Sequence, residues 1–266
     1  MVARRPGNRV RWLPGRGVQR PLAYHPVMPG VWNIAHRGAS ADRPENTLAA
    51  FEEAIRQGAD VIEADVRPSA DGELLVINDA LLDRTTNATG AVSGTDYARA
   101  RSLDAGRGER IPTPDEVLEL ARGRARVTFD IKDDAVVEGL IAMVDELEMA
   151  DHVTFSTFEP EIAERLLELG VASPIMQVVD SAAGVASLAV GHGGASQAIS
   201  GIGIPAGLVS AELTDRLQRH GFGVFAWTVD DPRQMERLVR DGVNGILTNR
   251  PGVLASVLRA HDAGRA

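Results

Sequence analysis

The stretch Val31–Arg67 reads VWNIAHRGASADRPENTLAAFEEAIRQGADVIEADVR. Its apolar start, Val31–Ala35, predicts a short buried strand. Apolar residues at helical spacing predict a helix over Thr47–Gln57, with Asn46 or the threonine after it as the cap. The apolar segment Val61–Val66 predicts a second strand. A strand, a helix and a strand in succession form the unit from which parallel sheets with helical crossovers are built.

The same alternation continues to the end of the chain. Further extended segments are predicted over Leu74–Ile77, Val127–Ile131, His152–Phe155, Ile175–Val179, Ala198–Ile204, Gly223–Thr228 and Gly245–Thr248. Further helices are predicted over Pro114–Leu120, Val136–Leu147, Glu159–Leu169, Ala182–Val190, Ala211–His220, Pro232–Asp241 and Pro251–Ala260.

This count of elements indicates the fold class. About eight strand–helix units in ~235 residues favour an α/β fold of the closed (β/α)8 TIM-barrel type over an open doubly wound sheet. No GxGxxG motif follows the first strand, so the usual dinucleotide-binding signature is absent. Residues 79–112 are polar, irregular and contain glycine, and we predict that they form a long excursion from the alternating strands and helices.

Charge is unevenly distributed along the chain. The net charge is −9, yet residues 1–30 contain six arginines and no acidic residue. We therefore predict a basic, flexible leader over 1–30 and a single barrel domain over 31–266. The acidic body argues against a nucleic-acid partner. No apolar run approaches the ~18 residues that span a bilayer, so we expect no stable membrane insertion.

Residue usage also bears on the compartment. The chain has no cysteine, which excludes a disulfide scaffold and thiolate catalysis. The Arg4-Arg5 pair is not followed by an apolar region, so no secretory or twin-arginine signal is predicted. Both features are compatible with a reducing cytoplasm, where we expect the protein to act.

Polar residues follow the predicted strands at the points where the active site of a barrel lies. They are His36, Arg37, Glu63, Asp65, Asn78, Asp79, Asp130, Lys132, Ser156, Gln177, Trp227, Thr228 and Asn249. Glu63 and Asp65 are two apart in one strand and therefore point to the same face. They repel each other unless a cation lies between them, and Asp130 offers a third oxygen ligand. The all-oxygen set suits Ca²⁺ or Mg²⁺; alternatively, one carboxylate faces a helix and pairs with an arginine.

A histidine and two basic residues occupy other strand ends. Arg37 and Lys132 would hold an anionic ester of phosphate, and His36 would act as the base or acid. Trp227 would form either an apolar wall for the alcohol part of the substrate or a part of the core. Together with the acidic cluster, these residues suggest phosphate chemistry.

Several motifs strongly resemble those of the glycerophosphodiester phosphodiesterase family. They are His36-Arg37-Gly38, Pro44-Glu45-Asn46-Thr47, Glu63-x-Asp65, Asp83-Arg84-Thr85-Thr86-Asn87-x-x-Gly90, Ile111-Pro112-Thr113, Trp227-Thr228 and the segment from Gly242 to Pro251. The resemblance implies a (β/α)8 barrel with a short insertion. It also implies metal-dependent hydrolysis of glycerophosphodiesters to glycerol 3-phosphate and an alcohol.

The resemblance also implies roles for single residues. Glu63 and Asp65 match the metal carboxylates of the family, and Asp130 falls where the family usually carries a longer Glu. Arg37 and Lys132 match contacts to the substrate phosphate. His36 would be the main acid/base residue.

The main departure from the family pattern is Asn78, at the position of a second catalytic histidine. Asparagine cannot transfer a proton at neutral pH, although it can hydrogen-bond to a phosphoryl oxygen or a leaving group. Loss of a general acid typically costs about 10²- to 10⁴-fold in rate. Asn244 and Asn249, where the family often has Asp, suggest milder changes near the barrel ends. We favour a working phosphodiesterase; the alternative is an impaired member that binds a phosphodiester or metal without efficient turnover.

Overall fold

The computed structural model describes residues 30–190 and 199–264, so residues 1–29 of the predicted leader lie outside the described residues. Within these ranges the strands are β1 (Trp32–His36), β2 (Val61–Pro68), β3 (Leu74–Val76), β4 (Arg126–Ile131), β5 (Val153–Thr157), β6 (Ile175–Val178), β7 (Gly201–Pro205), β8 (Gly223–Trp227) and β9 (Gly245–Thr248). The α-helices there are α1 (Leu48–Arg56), α2 (Tyr97–Ala100), α3 (Pro114–Ala121), α4 (Val137–Glu146), α5 (Pro160–Glu168), α6 (Ala182–Val190), α7 (Ala211–Arg219), α8 (Pro232–Arg240) and α9 (Pro251–Ala263). None of these helices combines the length and the apolar content that crossing a bilayer requires.

Eight of the described strands close into a parallel barrel in the order β1, β2, β4, β5, β6, β7, β8, β9. β1 completes the ring because it pairs with both β2 and β9, with Ile34 beside Val61 on one side and Leu247 on the other. β3 is an additional strand that pairs antiparallel with the end of β2, where Val66 lies beside Val76. The predicted TIM-type fold is confirmed, and the carboxyl ends of its strands share one rim.

A buried phenylalanine packs against glycines at the amino ends of three strands. Phe225 on β8 is buried and packs in a cluster that includes Ile34. A Cβ atom on Gly201, Gly223 or Gly245 would lie within 2.9 Å of the Phe225 ring, so these three strand positions carry no side chain. In barrels of this type the functional site lies at the opposite, carboxyl rim.

Two helix starts show how the predicted caps operate. Thr47 caps α1 by accepting a hydrogen bond from the Ala50 backbone N–H at 3.2 Å, which decides between the two predicted caps. At α3 the Glu116 side chain accepts from the Thr113 backbone N–H at 3.0 Å, and Pro114 occupies the first helical position as predicted. The Asn46 side chain is therefore available for another role.

The predicted insertion, residues 79–112, packs around an apolar cluster of its own. Leu82, Val92 and Ile111 are buried in it together with Leu75 of β3. The cluster anchors the insertion to β3, which pairs antiparallel with the last residues of β2. The polar start of the insertion is thereby held at the carboxyl rim.

Candidate active site

A cavity of about 130 Å³ lies at the carboxyl rim of the barrel. Its polar side is lined by His36, Arg37, Glu63, Asp65, Asp130 and Lys132. Its apolar side is lined by Phe158, Met176, Val178, Trp227 and Leu247. The structure brings together seven of the eight predicted site residues, because the chain passes this rim at the end of every parallel strand.

Three carboxylates converge in this cavity. Each of Glu63, Asp65 and Asp130 offers an oxygen within 4.8 Å of the others, and all three residues are buried. Burial raises the pKa of Glu63 well above its ordinary value, and the neighbouring Asp65 and Asp130 raise it further. Burial also raises the pKa of Asp130. Such a buried all-oxygen cluster could hold a divalent cation, whose charge would offset the mutual repulsion.

Two basic side chains neutralise part of this negative charge. Lys132 Nζ forms ion pairs with Asp130 and, at 3.0 Å, with Asp65. Burial lowers the pKa of Lys132, but these carboxylates outweigh burial and hold that pKa above its ordinary value. Arg37 Nε lies 3.2 Å from Asp65 Oδ2, and the Arg37 backbone N–H donates to Glu63 Oε2 at 2.8 Å. Among the described residues that line the cavity, three acidic side chains face two basic ones. A bound cation would therefore balance the remaining negative charge.

The loop before α1 holds one of the three acids in place. Asn46 Nδ2 donates to Asp65 Oδ2 at 2.7 Å, and Asn46 Oδ1 accepts from the Asp65 backbone N–H at 3.3 Å. Asn46 has φ of +56°, a left-handed conformation that asparagine adopts more readily than most residues. The Pro44-Glu45-Asn46-Thr47 motif thus supports the carboxylate cluster, a role that its sequence alone did not show.

His36 is oriented by a second asparagine. His36 Nδ1 lies 2.9 Å from Asn249 Oδ1, which also accepts a hydrogen bond from Ser40 Oγ at 2.8 Å. Asn249 Nδ2 donates to Asp230 Oδ2 at 2.7 Å, and the Asn249 backbone N–H donates to Asp230 Oδ1 at 2.8 Å. Because a carboxylate can only accept, the Asn249 amide must turn its oxygen toward the histidine.

This orientation determines where the histidine carries its proton. Asn249 Oδ1 accepts from Nδ1–H of His36, so Nε2 is left as the lone-pair nitrogen. Burial lowers the pKa of His36, and the charge of Arg37 lowers it further, so the neutral form is favoured. Asn249, predicted as a milder change near the barrel end, is thus in direct contact with His36. Asn244, by contrast, accepts from the Val224 backbone N–H at 2.8 Å, near the amino end of β9.

Asn78 is the one predicted site residue that the structure places elsewhere. Its amide donates to Asp79 Oδ1 at 2.6 Å, and its backbone oxygen accepts from Arg67 Nε at 2.6 Å. Its side chain borders a smaller neighbouring cavity with Glu45 and Ile111. Asn78 therefore sits beside the cavity of His36 with its amide turned toward its own neighbour in the chain.

The predicted substrate-binding Trp227 lies at the end of β8 on the apolar side of the cavity. Its ring meets the Phe158 ring edge to face, with centroids 5.4 Å apart and an interplanar angle of 82°. Trp227 Nε1 is buried and has no hydrogen-bond acceptor among the described residues. Lys132 Nζ lies 5.2 Å from the Phe158 ring centroid, so Phe158 joins the apolar side to the charged side. The sequence did not single out Phe158, because it follows its strand as an isolated apolar residue.

The chain is similar to proteins of one enzyme family. The profile of the Glycerophosphoryl diester phosphodiesterase family matches residues 36–253. A glycerophosphodiester phosphodiesterase from Caldanaerobacter subterraneus is 34% identical over 251 residues, covering 85% of this chain and 97% of that protein. The crystal structure of a glycerophosphodiester phosphodiesterase from Agrobacterium tumefaciens has a TM-score of 0.76 at 32% identity, covering 86% of this chain and 100% of that one.

A third similar protein bears on the product. The Oleispira antarctica phosphodiesterase, solved in complex with the product sn-glycerol-3-phosphate, has a TM-score of 0.75 at 26% identity and covers 87% of this chain and 97% of that one. The similarities support the predicted enzyme class and lend no support to the impaired alternative. The chain belongs to the glycerophosphoryl diester phosphodiesterase family.

Proposed function

We propose that this phosphodiesterase hydrolyses glycerophosphodiesters to glycerol 3-phosphate and an alcohol, with Ca²⁺ or Mg²⁺ as cofactor. The proposal rests on one observation: three buried carboxylates, two cations and a histidine face one another in a single cavity. The product in the Oleispira antarctica complex supports glycerol 3-phosphate as the product here. We further propose a role in lipid and glycerol metabolism in the cytoplasm, with which the absence of cysteine is compatible.

The proposed role of each polar residue follows from its charge. Arg37 and Lys132 would contact the phosphoryl oxygens, on which negative charge grows in the transition state. His36, neutral and with Nε2 as its lone-pair nitrogen, would take the proton of the attacking hydroxyl or water. The three carboxylates would hold the divalent ion, which supplies further stabilisation of the phosphoryl charge when it is bound.

The apolar side of the cavity would receive the uncharged part of the substrate. Trp227 and Phe158 offer two aromatic surfaces at right angles to each other. The unpartnered Trp227 Nε1 would donate to a substrate oxygen, which removes the cost of leaving a buried donor without a hydrogen bond.

Release of glycerol 3-phosphate from glycerophosphocholine tests this proposal. We expect turnover with Ca²⁺ or Mg²⁺ and its loss after chelation, because the carboxylates repel one another without a cation. The measurement is enzyme-coupled detection of glycerol 3-phosphate on the full chain. If no metal supports turnover while glycerophosphocholine still raises the melting temperature, the protein binds the diester without hydrolysing it.

Asn78→His tests the missing second histidine. We expect a rise in kcat of about 10²-fold, because a general acid would protonate the leaving alkoxide. The measurement is kcat on glycerophosphocholine. Asn78→Gln is the matched control, since it keeps an amide and transfers no proton. If Asn78→His and Asn78→Gln have equal kcat values, proton transfer from residue 78 to the leaving group does not limit the rate.

A further inference from the structure

Arg84, on the insertion, is shared between two carboxylates at the rim of the cavity. Its Nη1 and Nη2 atoms lie 2.6 and 2.8 Å from the two carboxylate oxygens of Glu45. Its Nε and Nη2 atoms lie 2.6 and 2.9 Å from the two oxygens of Asp79. Paired hydrogen bonds of this kind set the direction of a side chain as well as its position. Arg84 therefore ties the insertion to the loop between β1 and α1.

Glu45 links Arg84 to Arg37, which lines the cavity. Its Oε1 atom accepts a second hydrogen bond, from Arg37 Nη1, at 2.8 Å. Burial raises the pKa of Glu45, but Arg84 and Arg37 outweigh burial and bring that pKa below its ordinary value. Glu45 is therefore ionised at neutral pH and bonded to one arginine at the rim and another in the cavity.

The position of the Arg37 side chain depends on its contact with Glu45. Its Nε lies 3.2 Å from Asp65 Oδ2, so Glu45 and Asp65 compete for the same guanidinium. Its backbone, at φ of +57°, is held by the bond from its N–H to Glu63. The side chain could therefore shift toward the buried acids if its hold on Glu45 loosened. Such a shift would take the guanidinium away from the phosphoryl group that it is proposed to bind.

We propose that Arg84 is a positioning residue of the phosphodiester site, acting through Glu45 to keep Arg37 where it can bind phosphate. This inference rests on the proposed function, in which Arg37 contacts the phosphoryl oxygens. The insertion is thus part of the active site through a residue that does not line the cavity. The Arg84 side chain is 48% exposed, so its ion pairs contribute little to folding stability, and its main effect is on geometry.

A double-mutant cycle tests this role. We expect Arg84→Gln to raise the Kd of inorganic phosphate, measured by calorimetry on the full chain with Mg²⁺, by about tenfold. KM for glycerophosphocholine should rise by a similar factor. In the Glu45→Gln background the same Arg84 change should alter Kd by less than about twofold, because its route to Arg37 is already broken.

Arg124→Gln is the matched control. Arg124 also forms a paired interaction with a glutamate, at 2.7 Å to both oxygens of Glu52, but at the other end of the barrel. It should leave Kd and KM unchanged. The proposal is overturned if Arg84→Gln behaves like this control, or if its full effect persists without Glu45. Arg84→Lys, which keeps the charge but loses the paired bonds, should fall between the parent and Arg84→Gln, and a Kd equal to that of the parent would also overturn it.

The two proposals can fail separately. Failure of the parent chain to release glycerol 3-phosphate, with the phosphate-binding cycle as expected, would refute the reaction but not the positioning role. Normal turnover with no coupling between Arg84 and Glu45 would refute the positioning role but not the reaction.

Discussion

His36→Gln is expected to lower kcat on glycerophosphocholine by about 10²- to 10⁴-fold, because it removes the group that we propose takes the proton of the nucleophile. Glutamine keeps a polar side chain beside Asn249 but cannot act as a base. KM should change little, since Arg37 and Lys132, rather than His36, are the proposed phosphate ligands. Steady-state kinetics on the parent and the variant measure both constants.

The pH dependence of kcat/KM in the parent protein gives a second test of the role of His36. Burial and the charge of Arg37 lower the pKa of His36 below its ordinary value of 6.5. A base must be neutral to act, so the acidic limb of the kcat/KM profile should lie below pH 6.5. The exposed His152, at the start of β5, supplies the control His152→Gln, which should match the parent. If His36→Gln retains full kcat, another group is the base.

Addition of Ca²⁺ or Mg²⁺ is expected to raise the melting temperature of the protein. An ion at 100 times its Kd stabilises the folded state by about 2.7 kcal/mol, which corresponds to about 5–10 °C for a domain of this size. Glu63→Gln should abolish this rise and lower activity by at least about 10²-fold. Calorimetric melting with and without each metal measures the shift.

Without metal, we expect Glu63→Gln to have the opposite effect and not to destabilise the protein. The raised pKa of Glu63 means that the folded state favours the neutral carboxyl, so a neutral glutamine should leave the metal-free protein at least as stable as the parent. For the same reason the stability that the parent draws from this group falls as pH rises above the unfolded pKa of about 4.5. The metal-induced shift should therefore grow with pH.

A control variant distinguishes metal binding at the carboxylate cluster from metal binding to other acidic residues. Glu52→Gln removes an exposed carboxylate on α1 that pairs with Arg124, and it should leave the metal-induced shift intact. An equal shift in the parent and in Glu63→Gln would show that the ion binds elsewhere on the acidic surface.

Local patterns along the chain sufficed for the fold and for most of the site. Alternating strand and helix signals predict the barrel because each signal depends on neighbouring residues. The barrel then places every strand end on one rim, so His36, Glu63, Asp65, Asp130 and Lys132 could be assigned to one cavity before any contact was known. The two-residue spacing of Glu63 and Asp65 made their shared face certain, since side chains alternate along a strand.

Contacts between distant segments were decided only by the tertiary structure. His36 and Asn249 are 213 residues apart, and the direction of the Asn249 amide depends on Asp230 in another loop. Arg84 and Glu45 are 39 residues apart and meet because the apolar cluster of the insertion holds it at the rim. Hydrogen-bond partners of this kind leave no periodic pattern in a sequence, because each is set by how separately formed elements pack.

The chain by itself therefore determined which groups surround the proposed phosphodiester site. Only the closed barrel decided how they are oriented: Nε2 of His36 as the lone-pair nitrogen, Arg37 held between Glu45 and Asp65, and the Asn78 amide turned toward Asp79. The physical reason is that residue type and spacing specify position along an element, whereas orientation depends on hydrogen bonds that exist only after the elements have come together.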